Sequence, residues 1–213
     1  MEVLLLVPVL LFSFVVHEYA HAWVARREGD DTAEKLGRIT MNPLPHIDLF
    51  GTLIIPAMLI ATKAGFLIGW AKPVPVVPSN FTRGRRSQVY VAGAGVTANF
   101  LLALILTPIV ALLIHAERVS PGAWIGQLRL MAEVGISLNF LLVVFNLLPL
   151  PPLDGWTVMQ NLLPVRVARA TQRLHNVAII VFFLMFFTGS FGFVLAPARM
   201  LEHLSKMFIL WST

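Results

Sequence analysis

Two histidines and a glutamate lie together near the end of the first apolar stretch of the chain, in the sequence His17-Glu18-Tyr19-Ala20-His21. If this stretch is an α-helix, His17 and His21 lie on one face and can bind one metal ion through their imidazoles. Glu18 is adjacent to the first ligand and can act as general base on a water at the metal. The alternative is a polar helix end at the lipid headgroups, where His and Glu cost little free energy.

Two histidines do not complete a catalytic zinc site, which needs a third protein ligand and an open coordination position. Asp154 is the candidate, because it follows an apolar run and a turn with prolines at positions 149, 151 and 152. These prolines end the helix and fix φ, and Gly155 permits a tight turn, so the segment can direct a carboxylate rigidly. The alternative role of Asp154 is to cap the following helix. Asp30 and Asp31 lie in a charged loop and are expected to be solvated.

The composition indicates the surroundings of these residues. Hydrophobic residues make up 57% of the chain and charged residues 13%, about half of the ~25% charge of a soluble domain. The chain is therefore predicted to be an integral membrane protein. It contains no cysteine, which excludes thiol nucleophiles and zinc sites built on thiolates. Lys and Arg in cytoplasmic loops beside anionic lipid explain the net charge of +5 better than nucleic acid, which is not an expected partner.

Four apolar runs are long enough to cross the ~30 Å hydrocarbon layer of a bilayer as helices. They cover residues 3–24, 89–115, 127–148 and 177–195. The first run is not expected to be a cleaved signal peptide, because it follows Glu2, lacks a basic region and exceeds the usual apolar length. The tail, residues 200–211, mixes charged with apolar residues and is expected to lie along the membrane interface.

A fifth apolar run, residues 50–70, either crosses the membrane or enters it and returns. It carries Lys63 near its middle, and Gly65 and Gly69 are weak evidence for helix contact that leaves the oligomeric state open. A returning run places the strongly basic segments on one face, as the positive-inside rule expects, and it accommodates a mid-run lysine. The predicted fold is an all-α polytopic membrane protein, a single domain over residues 1–213. It is a bundle of four to six transmembrane helices with a re-entrant element.

The two metal motifs, in this order and setting, resemble those of the site-2 protease family of intramembrane zinc metalloproteases. Residues 42–51 and 69–76 resemble the short prokaryotic branch of that family, which lacks a PDZ module. The resemblance implies one Zn²⁺ per chain, bound by His17, His21 and Asp154, with Glu18 as catalytic base for peptide hydrolysis within the membrane. It also implies a multi-pass protein of a prokaryotic cell membrane, whose partners are the bilayer and a transmembrane protein substrate.

Asn99 belongs to a further family element that is altered in this chain. The family usually has Ala-Gly-Pro-x-x-Asn in a middle core span, and here Val96 replaces the proline. The resemblance implies that Asn99 takes part in catalysis and substrate binding, by holding the substrate or the tetrahedral intermediate. An ordinary hydrogen bond between helices is the competing interpretation.

Four other motif residues are expected to support the site. His46 and Asp48 could add a ligand or orient a zinc-bound histidine, or they could form a loop hydrogen bond at the base of the re-entrant run. Asn146 and Gly155 belong to the motif that contains the third proposed ligand. The sequence does not decide between these roles for His46 and Asp48.

Valines and prolines alternate in residues 69–77, which indicates an extended segment. The backbone carbonyls of a transmembrane helix are bonded internally, so a substrate helix must unwind before hydrolysis. Val74 and Val76 are predicted to bind the unwound stretch by β-augmentation, with the prolines restricting pairing to one edge.

Two other functions use the same residues. One is a membrane metal transporter or metal-binding protein, which predicts several polar positions along a path, whereas the sequence has one compact cluster. The other is a membrane-anchored zincin that acts on soluble substrates. An intramembrane zinc metalloprotease that cuts in or near transmembrane segments is the function that the sequence favours.

Overall fold

The computed structural model of the chain describes residues 2–62, 69–188, 192 and 195–212. Within these residues the secondary structure is helical, with short turns and no β-strand. A π-helical stretch covers Leu49–Ile54, and 3₁₀ turns cover Leu44–His46 and Pro78–Asn80. The α-helices are α1 (Glu2–Arg27), α2 (Thr32–Lys35), α3 (Ile55–Ala61), α4 (Arg85–Val119), α5 (Ala123–Asn146), α6 (Asp154–Leu162), α7 (Val165–Gln172), α8 (His175–Phe187) and α9 (Ala196–Ser212).

Three described helices, α1, α4 and α5, are long and apolar enough to cross a membrane. They contain the predicted runs 3–24 and 89–115 and nearly all of 127–148, so the all-α membrane fold is confirmed. The fourth predicted run, 177–195, begins within α8, and part of its second half lies outside the described residues.

Helix α4 is the centre of the bundle, because it packs against α1, α5, α6 and α9. Its inward face carries small residues that let neighbouring helices approach closely. The largest side chain in the core is Phe140 of α5, which is 1% exposed and lies 6.1 Å from Phe100 of α4 between ring centroids. The packing of α1 against α4 forms the interface that carries the candidate site.

The predicted re-entrant element is supported by the meeting of its two ends. The N–H of Trp70 donates to the carbonyl of Gly51 at 3.1 Å, and the hydroxyl of Thr52 donates to the carbonyl of Trp70 at 2.8 Å. A segment whose ends touch cannot cross ~30 Å of hydrocarbon once, so the run returns to the level where it began. Lys63 and Gly65, which were used in the sequence-based interpretation of this run, lie outside the described residues.

The strongly basic segments lie at one end of the bundle. Arg83 forms an ion pair with Glu28, which follows α1. Arg85 donates to the carbonyl of Leu163, in the segment between α6 and α7. These contacts join the segments near residues 26–38, 72–86 and 163–173, which is the arrangement that the positive-inside rule predicts for a re-entrant run.

The C-terminal helix α9 takes part in the core. Ala198 and Ile209 are buried in the same cluster as Phe140, while Leu210 and Trp211 on the other face are exposed. The sequence predicted an interfacial helix for this tail and did not predict that one of its faces packs against α4 and α5.

Candidate metal centre

The two histidines and Asp154 are brought together by α1 and α6. His17 and His21 lie one turn apart on α1, with both side chains buried. Asp154 is the first residue of α6, where the helix dipole favours a carboxylate. A side chain at Gly155 would overlap the backbone carbonyls of Leu147 and Leu148, so glycine at this position lets α6 begin directly against the end of α5.

Three potential ligand atoms form a triangle. Nε2 of His17 lies 3.0 Å from Nε2 of His21 and 3.2 Å from Oδ2 of Asp154, and the third side measures 3.4 Å. For zinc bonded at 2.0–2.1 Å, the edge of a ligand tetrahedron is ~3.3 Å. Oδ2 of Asp154 is buried, and no hydrogen bond reaches it from the described residues. The spacing and the unsatisfied oxygen both fit a zinc ion held by these three side chains.

The opposite ring nitrogens of the histidines are held by acceptors on α4. Nδ1 of His21 lies 2.7 Å from the carbonyl of Val91, which only accepts hydrogen bonds, so this nitrogen carries the proton. Nδ1 of His17 lies 2.6 Å from Oδ1 of Asn99. With both Nδ1 atoms as donors, both Nε2 lone pairs face the Asp154 carboxylate. Three electron-rich atoms at this spacing repel one another, and a bound cation relieves the repulsion.

Gly95 of α4 makes room for the histidine rings, a contact that was not predicted from the sequence. A Cβ at position 95 would lie 2.5 Å from Cε1 of His17 and 2.5 Å from Nε2 of His21. Any side chain here would enter the metal-binding space. Gly95 belongs to the altered Ala-Gly-x-x-x-Asn element, but its partner becomes visible only when α1 and α4 pack together.

Glu18 lies in a cleft with the three candidate ligands. The cleft has a volume of about 380 Å³, and Val74, Val76 and Asn146 also line it. Oε2 of Glu18 accepts a hydrogen bond of 2.8 Å from the backbone N–H of Val74. The cleft therefore places a carboxylate of fixed orientation in the same space as the metal-binding atoms.

The segment before α4 follows an extended path without forming a strand. The side chain of Val74 is buried against Ala22 and Ala33, and its N–H is bonded to Glu18. The N–H and carbonyl of Val76 make no hydrogen bond within the described part of the chain. Of the two valines predicted to bind substrate, Val76 has both backbone groups free of bonds within the described residues, whereas the N–H of Val74 is already bonded to Glu18.

Asn99 lies behind His17, fully buried between α1, α4 and α5. Its Oδ1 faces His17, and its Nδ2 donates to Oδ1 of Asn139 at 2.6 Å and to the carbonyl of Ser13 at 3.2 Å. Asn99 is not among the described residues that line the cleft. The predicted contact of Asn99 with substrate stays a prediction, and the contact that the structure records is with a candidate ligand.

The family of the chain follows from its relatives. The model of peptidase family M50 matches residues 113–189. The Bacillus subtilis protein named "Putative zinc metalloprotease YwhC" is 41% identical over 193 residues, which cover 90% of this chain and 84% of that protein. The chain belongs to peptidase family M50, the site-2 proteases. This family membership assigns it to the zinc metalloproteases, and so the resemblance seen in the sequence is confirmed.

More distant M50 relatives are longer proteins. "Putative zinc metalloprotease Rip2" of Mycolicibacterium smegmatis is 31% identical over 75% of this chain and 58% of its own length. The protein of the same name in Mycobacterium tuberculosis H37Rv is 31% identical over 83% of this chain and 64% of its own length. The chain thus spans less than two thirds of either Rip2 protein. No solved structure matches the chain.

The M50 motif residues His46 and Asp48 lie at the base of the re-entrant run and outside the group of three ligands. Nε2 of His46 lies 3.0 Å from the carbonyl of Thr40. Oδ1 of Asp48 accepts from the N–H groups of Phe50 and Gly51, at 3.0 and 2.7 Å, and so caps the π-helical stretch. These are the loop hydrogen bonds that the sequence offered as one alternative. Their support of the metal site stays a prediction.

Asn146 lines the cleft beside the ligands and donates through Nδ2 to the carbonyl of Leu142, one turn earlier in α5, at 3.0 Å. Its Oδ1 makes no hydrogen bond to the described residues. Asp154 does not cap α6 through its side chain, so the capping alternative for this residue is not observed.

The prediction of a solvated Asp30 is wrong, because this side chain is fully buried. Its carboxylate accepts hydrogen bonds from the backbone and hydroxyl of Thr32, from the N–H of Val77 at 2.6 Å and from Nδ2 of Asn80 at 2.9 Å. Burial alone would raise the pKa of Asp30, but these donors outweigh it and hold the pKa below its usual value. Asp30 thereby fixes the end of the extended segment to the end of α1.

Glu28 forms a second buried link beside Asp30. It accepts from Ser87 at 2.6 Å and from Nε of Arg83 at 3.0 Å. The hydroxyl of Ser87 first, and then the guanidinium of Arg83, hold the pKa of Glu28 below its usual value against the opposing effect of burial. The segment after α1 looks like a charged loop in the sequence, but in the structure it forms a packed junction between α1 and α4.

Proposed function

We propose that this M50 protein is an intramembrane metalloendopeptidase that hydrolyses peptide bonds in or near transmembrane segments of membrane proteins. One Zn²⁺ per chain is bound by His17, His21 and Asp154, and Glu18 is the general base. The observation that carries the proposal is the triangle of ligand atoms, 3.0–3.4 Å on each side, in one cleft with the carboxylate of Glu18.

A zinc ion held by these three side chains would polarise the scissile carbonyl and lower the pKa of a bound water towards ~7. Glu18 takes the proton of the attacking water and delivers it to the leaving amine. The N–H of Val74 bonds one oxygen, Oε2, at 2.8 Å, which leaves the other oxygen of the carboxylate for the proton. His17 and His21 keep their Nδ1 atoms bonded to α4 throughout, so neither ring is required to carry the transferred proton.

The position of the site along α1 supports cleavage within the membrane. His21 lies inside the apolar helix, six residues before Arg27 at its basic end, which is ~9 Å along the axis at ~1.5 Å per residue. This distance supports a site below the membrane surface, on the basic side. This position favours a transmembrane substrate over the alternative of a zincin that acts on soluble proteins.

Substrate binding is assigned to the extended segment before α4. An unwound peptide within the membrane needs partners for its N–H and carbonyl groups. The N–H and carbonyl of Val76 make no bonds within the described residues, and Val76 lines the cleft. Pairing of the substrate with Val76 would present the next peptide bonds to the metal-binding atoms. Replacement of residues 74–77 by Gly and Ser should lower cleavage and leave zinc bound.

The test combines zinc content with two cleavage assays in liposomes, one on a transmembrane reporter and one on casein. The wild type should hold about one zinc and cut the reporter. Glu18→Gln should keep zinc and lose activity, while Asp154→Ala should lose zinc. Asp31→Asn, a change at an exposed ion pair with Lys35, is the control and should behave as wild type.

The outcomes separate the alternative functions. Activity retained in Glu18→Gln would contradict the role of Glu18 as general base. Casein cleaved in preference to the reporter would favour a zincin with soluble substrates. Zinc binding without any hydrolysis, together with metal uptake into the liposomes, would favour the transporter.

A further inference from the structure

A chain of buried polar side chains, one hydroxyl and two amides, connects three helices to the first histidine. Ser13 of α1, Asn99 of α4 and Asn139 of α5 are each at most 1% exposed, in the middle of the bundle. Buried polar side chains among apolar helices are expensive unless every hydrogen-bonding group has a partner. The direction of each hydrogen bond can therefore be assigned from the groups that can only accept.

Asn139 is oriented by its own helix. Its Nδ2 lies 2.8 Å from the carbonyl of Gly135 and 2.9 Å from Oγ of Ser13. The carbonyl only accepts, so the amide nitrogen faces Gly135 and the amide oxygen faces Asn99. The hydroxyl of Ser13 donates to the carbonyl of Val9 at 2.9 Å, which leaves Oγ free to accept from Asn139.

Asn99 is oriented in turn by Asn139 and Ser13. Its Nδ2 lies 2.6 Å from Oδ1 of Asn139 and 3.2 Å from the carbonyl of Ser13. Both partners are acceptors, so the nitrogen takes this side and Oδ1 turns to His17. An amide oxygen cannot donate, so the contact of 2.6 Å requires a proton on Nδ1 of His17.

We propose that Asn139 is a positioning residue for His17, acting through Asn99. The relay from Gly135 and Asn139 to Asn99 holds His17 as the Nδ1–H tautomer, with the Nε2 lone pair aimed at Asp154. A flipped Asn99 amide would face His17 with NH₂, and the metal-binding lone pair would be lost. The inference rests on the proposed zinc site, since its consequence is the strength of metal binding.

The relay differs in kind from the support of His21. Nδ1 of His21 is held by a backbone carbonyl, that of Val91, which no side-chain substitution removes. His17 depends on a side-chain amide whose two ends have similar shape. A second amide and a backbone carbonyl are therefore needed to decide which end faces the histidine.

The first experiment measures zinc affinity by competition with a chelator. Asn139→Leu should weaken zinc binding by about 10- to 100-fold, the usual effect of losing a group that orients a ligand. The control is Thr107→Val, because Thr107 is a buried polar residue of α4 whose hydroxyl bonds, among the described residues, within its own helix, to the carbonyl of Ala103 at 2.9 Å. It should change zinc affinity by less than about threefold. Equal affinities in the two variants would overturn the proposal.

A second experiment locates the proton of His17 and needs no substitution in the relay. Histidine-selective ¹⁵N NMR of the metal-free protein at pH 8, with His17 assigned by its loss in His17→Gln, should give a protonated Nδ1. An unprotonated Nδ1 would overturn the proposal, even if Asn139→Leu fails to fold. A wild type that binds no zinc would refute the proposed function, whereas the protonation state of Nδ1 would still decide on the relay.

Thermal unfolding of the metal-free variants separates positioning from general stabilisation. If Asn139 only stabilises the bundle, Asn139→Leu lowers the melting temperature and leaves zinc affinity equal to that of Thr107→Val. If Asn139 positions His17, Asn139→Leu lowers zinc affinity by more than Thr107→Val does, even when the two variants lose a similar amount of stability.

Discussion

The backbone N–H of Val74 donates to Oε2 of Glu18 at 2.8 Å, and this bond joins the proposed catalytic base to the extended segment of the cleft. The neighbours of Val74 are Pro73 and Pro75, and proline has no backbone N–H. Val74 therefore carries the single N–H of these three residues, and Glu18 accepts it. The orientation of the base and the position of the segment depend on each other.

Val74→Pro should remove this hydrogen bond and keep the segment extended, because consecutive prolines favour the polyproline II conformation. Cleavage of a transmembrane reporter should fall by about 10-fold or more, a part of the 10²–10⁴ that a positioned base contributes. Zinc content should stay at the wild-type level. The matched control is Val74→Ala, which loses packing against Ala22 and Ala33 but keeps the N–H. Equal cleavage rates in the two variants would contradict the proposed coupling.

Gly95→Ala should damage the metal site directly. The added Cβ would lie 2.5 Å from atoms of both histidine rings, and the rings cannot retreat without breaking their Nδ1 hydrogen bonds. Zinc affinity should fall by at least about 10-fold, comparable to the loss of a group that orients a ligand.

Gly93→Ala is the control for that substitution, because a Cβ at position 93 of the same helix meets nothing within 4 Å. It should leave zinc binding unchanged and stabilise the protein by up to about 1 kcal/mol, the difference in helix propensity between Gly and Ala. If Gly95→Ala binds zinc as tightly as Gly93→Ala, the histidines do not depend on the close approach of α4.

The candidate metal ligands could be predicted from the sequence because the spacing of the two histidines on one helix, and the turn before Asp154, are local features. The reversal of residues 50–70 was also predictable, from a mid-run lysine and the distribution of basic segments. Its proof required the contact between Gly51 and Trp70, which are far apart in the chain. Local patterns thus identified the candidate site and the order of the helices.

The surroundings of the site could not be predicted in the same way. The sequence around Asp30 is typical of a solvated loop. The donors that bury its carboxylate come from positions 77 and 80, which approach it only in the folded chain. Gly95 has no local signal for its contact with the histidines. Asn139 does have one, since a polar residue within a predicted span is a functional candidate, but its partner depends on how three helices cross.

Arg85→Ala should loosen the helix that carries Asp154. Nη2 of Arg85 donates to the carbonyls of Gln160 and Leu163, at 2.5 and 2.6 Å, and holds the end of α6 against the start of α4. The loss of these charged hydrogen bonds should lower the free energy of unfolding by about 1.5–3 kcal/mol and weaken zinc binding. Thermal unfolding and zinc competition measure the two effects.

Arg86→Ala is the comparison for Arg85→Ala. Arg86 is the next residue of the same helix, and it is exposed. Its removal should change stability by less than about 0.5 kcal/mol, as for surface substitutions in general. Similar melting temperatures for the two variants would show that the bonds to α6 do not contribute to stability.

The junction of α1 with the extended segment should lose stability in acid. The folded-state pKa of Asp30 is lowered from 3.8, so the unfolded chain binds more protons than the folded chain in the interval between the two values. Stability from the charged carboxylate is fully present above pH 3.8 and is lost as the pH falls through the folded-state pKa. Glu28, whose pKa is also lowered, contributes in the same direction.

Asp30→Asn tests this junction at neutral pH and in acid. An amide cannot accept from Thr32, Val77 and Asn80 together, so one buried N–H loses its partner, which should cost about 1–3 kcal/mol at pH 7. The melting temperature of this variant should then fall less steeply between pH 5 and pH 3 than that of the wild type. Asp31→Asn, whose side chain is half exposed, should follow the wild-type curve. If the melting temperatures of Asp30→Asn and the wild type fall equally between pH 5 and pH 3, the role of the Asp30 carboxylate is contradicted. Proton uptake by Asp30 on unfolding would then make no contribution to the loss of stability in acid.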